Sequence, residues 1–194
     1  MNGCEFVDIL TIFKKVENDG LRTSLLNLWK DKEENFRGMP ASIKYHHTQR
    51  GGLYTHTLEV MEHGIALFNT FNESAKNVDI SLDDVILTTF AHDLDKINKY
   101  VDHGNRFLWN YGRIDVNDTA DVVNILSRYG IYLNDIQLNA LTFSHGGWSV
   151  DRGKMKPLAT IVHCADILSL TFENKVEQNF RPHVLPPQKM KFSI

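Results

Sequence analysis

Residues 81 to 96, Ser81-Leu-Asp-Asp-Val-Ile-Leu-Thr-Thr-Phe-Ala-His-Asp-Leu-Asp-Lys96, decide how this chain folds. Ser81 followed three residues later by Asp84 is a capping-box pattern, and Val85, Ile86 and Leu87 behind it start an apolar run that fits a buried helix. The same three-and-four spacing of apolar residues recurs on both sides. Upstream it takes in Phe6, Ile9, Leu10 and Phe13, then Leu21, Leu25, Leu26 and Trp29, then a helix from Leu53 to about Phe71. Downstream a helix opens at Asn117 or Asp118, continues through Val122, Val123 and Leu126, and stops at Gly130. Another runs from Asn134 to about Phe143, and Pro157 stands at the first position of a last one, Leu158 to about Phe180. Seven helices without a convincing strand or an internal repeat predict an all-α fold, a single compact multi-helix bundle over 1–180. The segment 181–194 carries Pro182, Pro186 and Pro187 with Arg181, Lys189 and Lys191, and reads as an extended tail. Two polar, turn-rich stretches interrupt the pattern, Gly38 to Gly52 and Tyr100 to Asn117, and loops of that length in a small helical domain carry function or disorder.

Composition narrows the classes. The chain has 194 residues, about one domain at the usual size, and 42% hydrophobic residues, which supports a packed core. With 21 Lys and Arg against 24 Asp and Glu the net charge is -3, so no overall positive field holds a polyanion and phosphate recognition must be local. Mean hydropathy is -0.28, and no apolar run reaches the roughly 18 residues of a membrane span. Cys4 and Cys164 are too few for a disulfide framework or a cysteine zinc site, and the N-terminal stretch lacks a basic targeting pattern, so the expectation is a cytoplasmic protein with no membrane partner. The nine histidines are the unusual count, and their placement carries the functional reading.

His92-Asp93 lies inside an apolar helix. A carboxylate buried there costs several kcal/mol unless a positive group compensates, which a metal ion does; a core histidine hydrogen-bonded to its neighbours is the other reading. His56 sits among Leu53, Leu58, Val60 and Met61, and His163 and Asp166 share a helical face among Ile161, Val162, Ile167 and Leu168. Three helices with a misplaced His or Asp can meet in a bundle and close a mixed nitrogen and oxygen coordination sphere. The candidate metal ligands are His56, His92, Asp93 and Asp166.

The order His56, His92-Asp93, Asp166 resembles the HD-domain metal-dependent phosphohydrolases. His46-His47-Thr48-Gln49-Arg50-Gly51-Gly52-Leu53-Tyr54-Thr55-His56-Thr57-Leu58 looks like the HH…GGL..HTL segment of the subgroup that includes the HD domains of bacterial 3′-to-5′ exoribonucleases. Leu141-Thr142-Phe143-Ser144-His145-Gly146 resembles its Ser-His helix end, so the resemblance covers about residues 44 to 170. It implies hydrolysis of a phosphate ester of a nucleotide or a nucleic-acid end. The implied cofactor is one divalent ion (Mn, Ni, Fe, Co, Zn or Mg), with room for a second through His145 or His163. The family reads His-Asp-hydrophobic-Gly-Lys, whereas this chain has Asp95 at the Gly position and keeps Lys96. Asp95 and Lys96 are therefore the candidate catalytic pair, Asp95 in proton transfer or in opposition to an anionic substrate, Lys96 against its phosphate.

His46, His47 and Arg50, beside two glycines that permit close approach, form a candidate phosphate cradle, and His145 is a fourth candidate substrate contact. Lys99, Asp102, His103, Arg106 and Trp109 could line a lid with a base-stacking surface. The expected substrate is a nucleotide or a short single-stranded nucleic acid. The first 40 residues lack the alternating strands of an OB-fold, which favours the small nucleotide. Competing readings are an exoribonuclease-like phosphodiesterase, a non-catalytic nucleotide-binding regulator with a structural metal, and a helical scaffold with buried histidines. Homo-oligomerisation is left open by the sequence.

Overall fold

A computed structural model describes residues 8–74, 79–104, 106–113, 118–146 and 154–173. The elements are α1 (Ile9–Phe13), α2 (Asp19–Gly38), α3 (Gly52–Ser74), α4 (Leu82–Ala91), α5 (Lys96–Lys99), β1 (Tyr100–Asp102), β2 (Phe107–Trp109), α6 (Asp118–Ser127), α7 (Asp135–Phe143) and α8 (Pro157–Glu173), with a 3-10 turn at Tyr111–Arg113. The all-α reading holds. The start of the first helix at Phe6, the continuation of the last toward Phe180, a cap at Asn117 and the 181–194 tail lie outside the described residues.

Local chemistry places the helix starts. At α4 the Ser81 hydroxyl accepts from the Asp84 N–H at 3.1 Å, and the Asp84 carboxylate accepts from the Ser81 N–H at 2.9 Å. Asn134 and Gln137 repeat this capping box at α7. The two boxes are joined, because Gln137 Nε2 donates to the other Asp84 oxygen at 2.7 Å and so sets α7 against the start of α4. Pro157 opens α8, where its missing N–H costs nothing.

One correction concerns the second polar stretch. Within Tyr100 to Asn117 the chain forms an antiparallel hairpin, β1 on β2, with Tyr100 opposite Trp109 and Asp102 opposite Phe107. Strands of three residues are too short for alternation to show in a sequence, and the turn is carried by Gly104 at φ 86°. Between Gly38 and Gly52 the chain has no helix or strand but is pinned by backbone bonds, Ala41 N–H to His47 O at 3.0 Å and Leu53 N–H to Met39 O at 3.0 Å.

Two apolar clusters hold the bundle. The larger unites α1, α2, α4 and α6 with the start of α3; Phe90 sits at its centre, edge-on to Phe13 at 5.0 Å and stacked on Phe36 at 5.4 Å. Each such fully buried side chain contributes about 1.5–3 kcal/mol. The smaller joins Val85 of α4 to Ala140 and Phe143 of α7 and to Leu158, Ala159, Ile161 and Val162 of α8. Helix α4 belongs to both clusters, and its C-terminal end, with α3 and α8 packed beside it, is where His92 and Asp93 emerge.

Candidate metal centre

His56 comes from α3, Asp166 from α8, and His92 and Asp93 from the turn that ends α4. His56 Nε2 lies 3.2 Å from His92 Nε2, 3.3 Å from Asp93 Oδ2 and 3.3 Å from Asp166 Oδ1. His92 Nε2 is 3.4 Å from Asp93 Oδ2. All four residues are buried. The sequence expectation that they converge is met in space.

Hydrogen counting shows what kind of site this is. His92 Nδ1 lies 2.7 Å from the Thr89 carbonyl oxygen, which only accepts, so the ring hydrogen is on Nδ1. His56 Nδ1 lies 2.9 Å from Ser169 Oγ, and that hydroxyl spends its one hydrogen on Glu59 Oε2 at 2.7 Å. Ser169 therefore accepts from His56 Nδ1. In their neutral forms both rings present an Nε2 lone pair to the same point, next to carboxylate oxygens. Donor atoms about 2.1 Å from one ion lie roughly 3.0 to 3.4 Å from each other, which is the spacing of His56 Nε2 from its three neighbours, and His56, His92 and Asp166 offer ligand atoms that all lie within 4.8 Å of one another. The buried Asp93 Oδ1 has no hydrogen-bond partner, with His145 Nε2 3.5 Å away. The residues fit a divalent cation, and outer partners such as Thr89, Ser169 and Glu59 are what metal-bound histidines require to keep their tautomer.

The electrostatics agree. Burial pushes the Asp93 carboxyl up, but Lys96 and then His92 outweigh it and hold it well below the ordinary carboxylate range. Asp166 is likewise raised by burial and lowered further by His145 and His56. Burial disfavours charge on His56, yet Asp166 and Asp93 outweigh it and raise its pKa. His145 bridges the two carboxylates, with Nδ1 3.4 Å from Asp166 Oδ2; burial lowers its pKa and Asp166 and Asp93 raise it. Its ring is 37% exposed, which puts it at the rim.

The remaining candidates divide. Lys96 Nζ sits 2.5 Å from Asp93 Oδ2; burial lowers its pKa but Asp93 raises it, so the cation is locked to a ligand carboxylate. Asp95 is not brought into this cluster: it pairs with Lys99 at 2.9 Å, and Lys99 reaches Asp118 at 2.6 Å. Burial raises the Asp95 pKa and Lys99 opposes that. His46 and His47 do lie against the site, their ring centroids 4.8 and 5.3 Å from that of His56. Burial, His56 and Lys96 push the His46 pKa down to about 2, so this ring is neutral. His47 takes the left-handed backbone region at φ 43°, a cost of about 1–3 kcal/mol. Gly52 permits it, because a Cβ there would meet the His47 carbonyl oxygen at 1.9 Å. Arg50 pairs with Asp102 of the hairpin and lies 5.7 Å over the Phe107 ring.

Two residues, Ser169 and Glu59, are not singled out as site groups by sequence reasoning, whereas His163 is read there as a candidate ligand of a second ion. Ser169 and Glu59 orient His56, and His163 donates from Nδ1 to the Ser144 carbonyl at 2.8 Å, holding the turn that carries His145. Only His163 left a signal, its shared face with Asp166.

Comparison with known proteins gives one distant similarity. The chain is 23% identical over 171 residues to a dihydroneopterin 2′,3′-cyclic phosphate phosphodiesterase of Methanocaldococcus jannaschii. The match takes in 81% of this chain and 66% of that protein, so the chain spans just under two thirds of the relative's length. No protein-family profile and no solved structure matches. No helix among the described residues is long and apolar enough to cross a membrane. The chain is thus a helical protein with a buried His and Asp cluster suited to a cation and a distant likeness to a phosphodiesterase.

Proposed function

We propose that this chain is an HD-type, metal-dependent phosphohydrolase that cleaves a phosphate ester, with His56, His92, Asp93 and Asp166 as the ion's ligands. The observation that carries this reading is the facing pair of Nε2 atoms, each on a ring whose Nδ1–H is engaged elsewhere, 3.2 Å apart among carboxylate oxygens 3.3 Å away. A bound divalent ion supplies an activated water and positive charge for the developing phosphorane. The chain's own groups do the rest. Lys96 offsets the charge of Asp93 and presents a cation beside the reacting phosphate. His46, His47 and His145 border the ligands and hold phosphoryl oxygens, His145 with the elevated proton affinity suited to a donor. A second ion at His145 is compatible with its place between Asp93 and Asp166.

The substrate we infer is a phosphodiester on a small base-bearing molecule, such as a cyclic nucleotide. Two things support the diester: the relative's activity on a 2′,3′-cyclic phosphate, and the net charge of -3, which suits a small ligand better than a long polyanion. The deciding assay offers 2′,3′-cyclic and 3′,5′-cyclic nucleotides, dihydroneopterin 2′,3′-cyclic phosphate, nucleoside mono-, di- and triphosphates and a short single-stranded RNA, each with Mn, Fe, Co, Ni, Zn and Mg. Turnover of one class, lost in Asp93→Ala with the helical fold intact, is the expected result. Failure of every substrate with every ion overturns the enzyme reading.

A further inference from the structure

A single carboxylate oxygen connects the proposed ligand set to the loop that borders it. Glu59 Oε2 accepts from Ser169 Oγ at 2.7 Å and lies 3.2 Å from His47 Nε2. Through Ser169 it fixes His56; through His47 it fixes the segment between Met39 and Gly51, and His46 as well, whose Nδ1 is 3.4 Å from that of His47. The connection spans elements far apart in the chain, since Ser169 is on α8 and Glu59 on α3, one turn after His56. Ser169 is fully buried and His47 nearly so, while the Glu59 side chain that joins them is 35% exposed.

From this geometry we infer that Glu59 is a positioning residue that couples occupancy of the ion site to the conformation of loop 39–51. The inference rests on the metal-centre reading given above. Its physical basis is polarisation along a hydrogen-bonded chain. When the Nε2 lone pair of His56 is drawn toward a cation, its Nδ1–H becomes a stronger donor, Ser169 becomes a stronger donor in turn, and Glu59 is held more firmly where His47 needs it. His47 is the residue for which this matters, because its left-handed backbone persists only if its surroundings hold it. Coupling of this kind is reciprocal: a loop held in place by substrate favours the ion as much as the ion favours the loop. Glu59 touches neither ligand atoms nor substrate, and acts through Ser169 and His47.

The test compares wild type with Glu59→Ala, Ser169→Ala and Glu59→Gln, checked for helix content by circular dichroism. Two readouts are made: Mn affinity by competition with a fluorescent chelator, and amide hydrogen exchange across residues 39–51 with and without Mn. In the wild type, Mn is expected to slow exchange in the loop. Both alanine variants are expected to bind Mn roughly 10–100-fold more weakly and to lose that protection, with Glu59→Gln, which keeps an acceptor without its charge, between them. Ser169→Ala is the smaller change and serves if Glu59→Ala does not fold. Equal Mn affinity in all four proteins, or undiminished loop protection in the alanine variants, overturns the coupling while leaving the metal centre standing. A wild type that takes up no ion removes both.

Discussion

His56 and His92 meet through their Nε2 atoms at 3.2 Å, and on both rings the hydrogen bonds of the structure place the proton on the far nitrogen. Two lone pairs pointed at each other, flanked by the oxygens of Asp93 and Asp166, repel unless something positive lies between them. The acidic neighbours raise the His56 pKa against the effect of burial, which reflects the same demand for positive charge. A divalent ion would meet it better, since it would bring two positive charges to these donors. Buried carboxylates left without such a charge are costly, and this sets the direction of the predictions below.

Removing the proposed ion is expected to destabilise the protein. Ion present at 100 times its dissociation constant adds about 2.7 kcal/mol to folding stability, so a chelator lowers the melting temperature by several degrees. Asp166→Ala is expected to abolish stoichiometric ion uptake and, with it, the response to chelator. Calorimetry with and without chelator, alongside elemental analysis, checks both. An identical melting curve in chelator contradicts the site.

Lys96 is expected to extend the acid stability of the ion-free protein through Asp93. The folded pKa of Asp93 is depressed, Lys96 and His92 outweighing burial, so its contribution is present above the unfolded value near 3.8 and is lost as pH falls through the folded value. Lys96→Met removes the 2.5 Å partner, raises that folded pKa and moves acid unfolding to higher pH. Breaking a buried pair of this kind costs roughly 3–5 kcal/mol. Thermal melts in chelator between pH 3 and 7 give the answer, and a superimposable acid limb for Lys96→Met contradicts the assignment.

How much was readable in the chain depends on whether a residue disagrees with its neighbours. His56, His92, Asp93 and Asp166 are polar groups in apolar helical stretches, so the misfit itself marked them, and the Ser81 and Asp84 cap is local in sequence. Glu59 gave no sign, because a carboxylate one turn after His56 on an amphipathic helix looks like ordinary solvent face. Ser169 was invisible for a different reason: its partners are 113 and 110 residues away, and a pairing between helices leaves no local spacing to read. Asp95 stood out as a departure from the family pattern, but the pairing with Lys99, and through it with Asp118 at the start of α6, appears only in three dimensions.

The close approach at Gly52 predicts a selective defect. In Gly52→Ala the added Cβ would meet the His47 carbonyl at 1.9 Å, a clash with backbone that only movement of the loop relieves. The expected cost is about 1–3 kcal/mol in stability, with a higher KM as His46 and His47 are displaced. Ion uptake should weaken less than in Asp166→Ala, because none of the four ligands is carried by this loop. Denaturant unfolding and steady-state kinetics test it; unchanged stability and KM would mean the loop is placed differently.

The hairpin predicts which part of the substrate it serves. Because side chains alternate along a strand, Tyr100, Asp102, Phe107 and Trp109 share one face, and Arg50 reaches that face at Asp102 and Phe107 from the loop that carries His46 and His47. Tyr100 is buried beneath Trp109, their centroids 5.1 Å apart, while Trp109 remains 41% exposed. A rigid aromatic ring backed by a second one and left open to solvent is suited to stacking on a planar base, an interaction worth about 1–3 kcal/mol. Trp109→Ala should therefore raise KM for a cyclic nucleotide by roughly 5- to 100-fold with kcat little changed. The same variant should leave a small aliphatic phosphodiester untouched, since that substrate offers no ring to stack. Measuring both substrates on one preparation separates recognition from folding damage, because a damaged fold lowers both activities together and a stacking role lowers only the first.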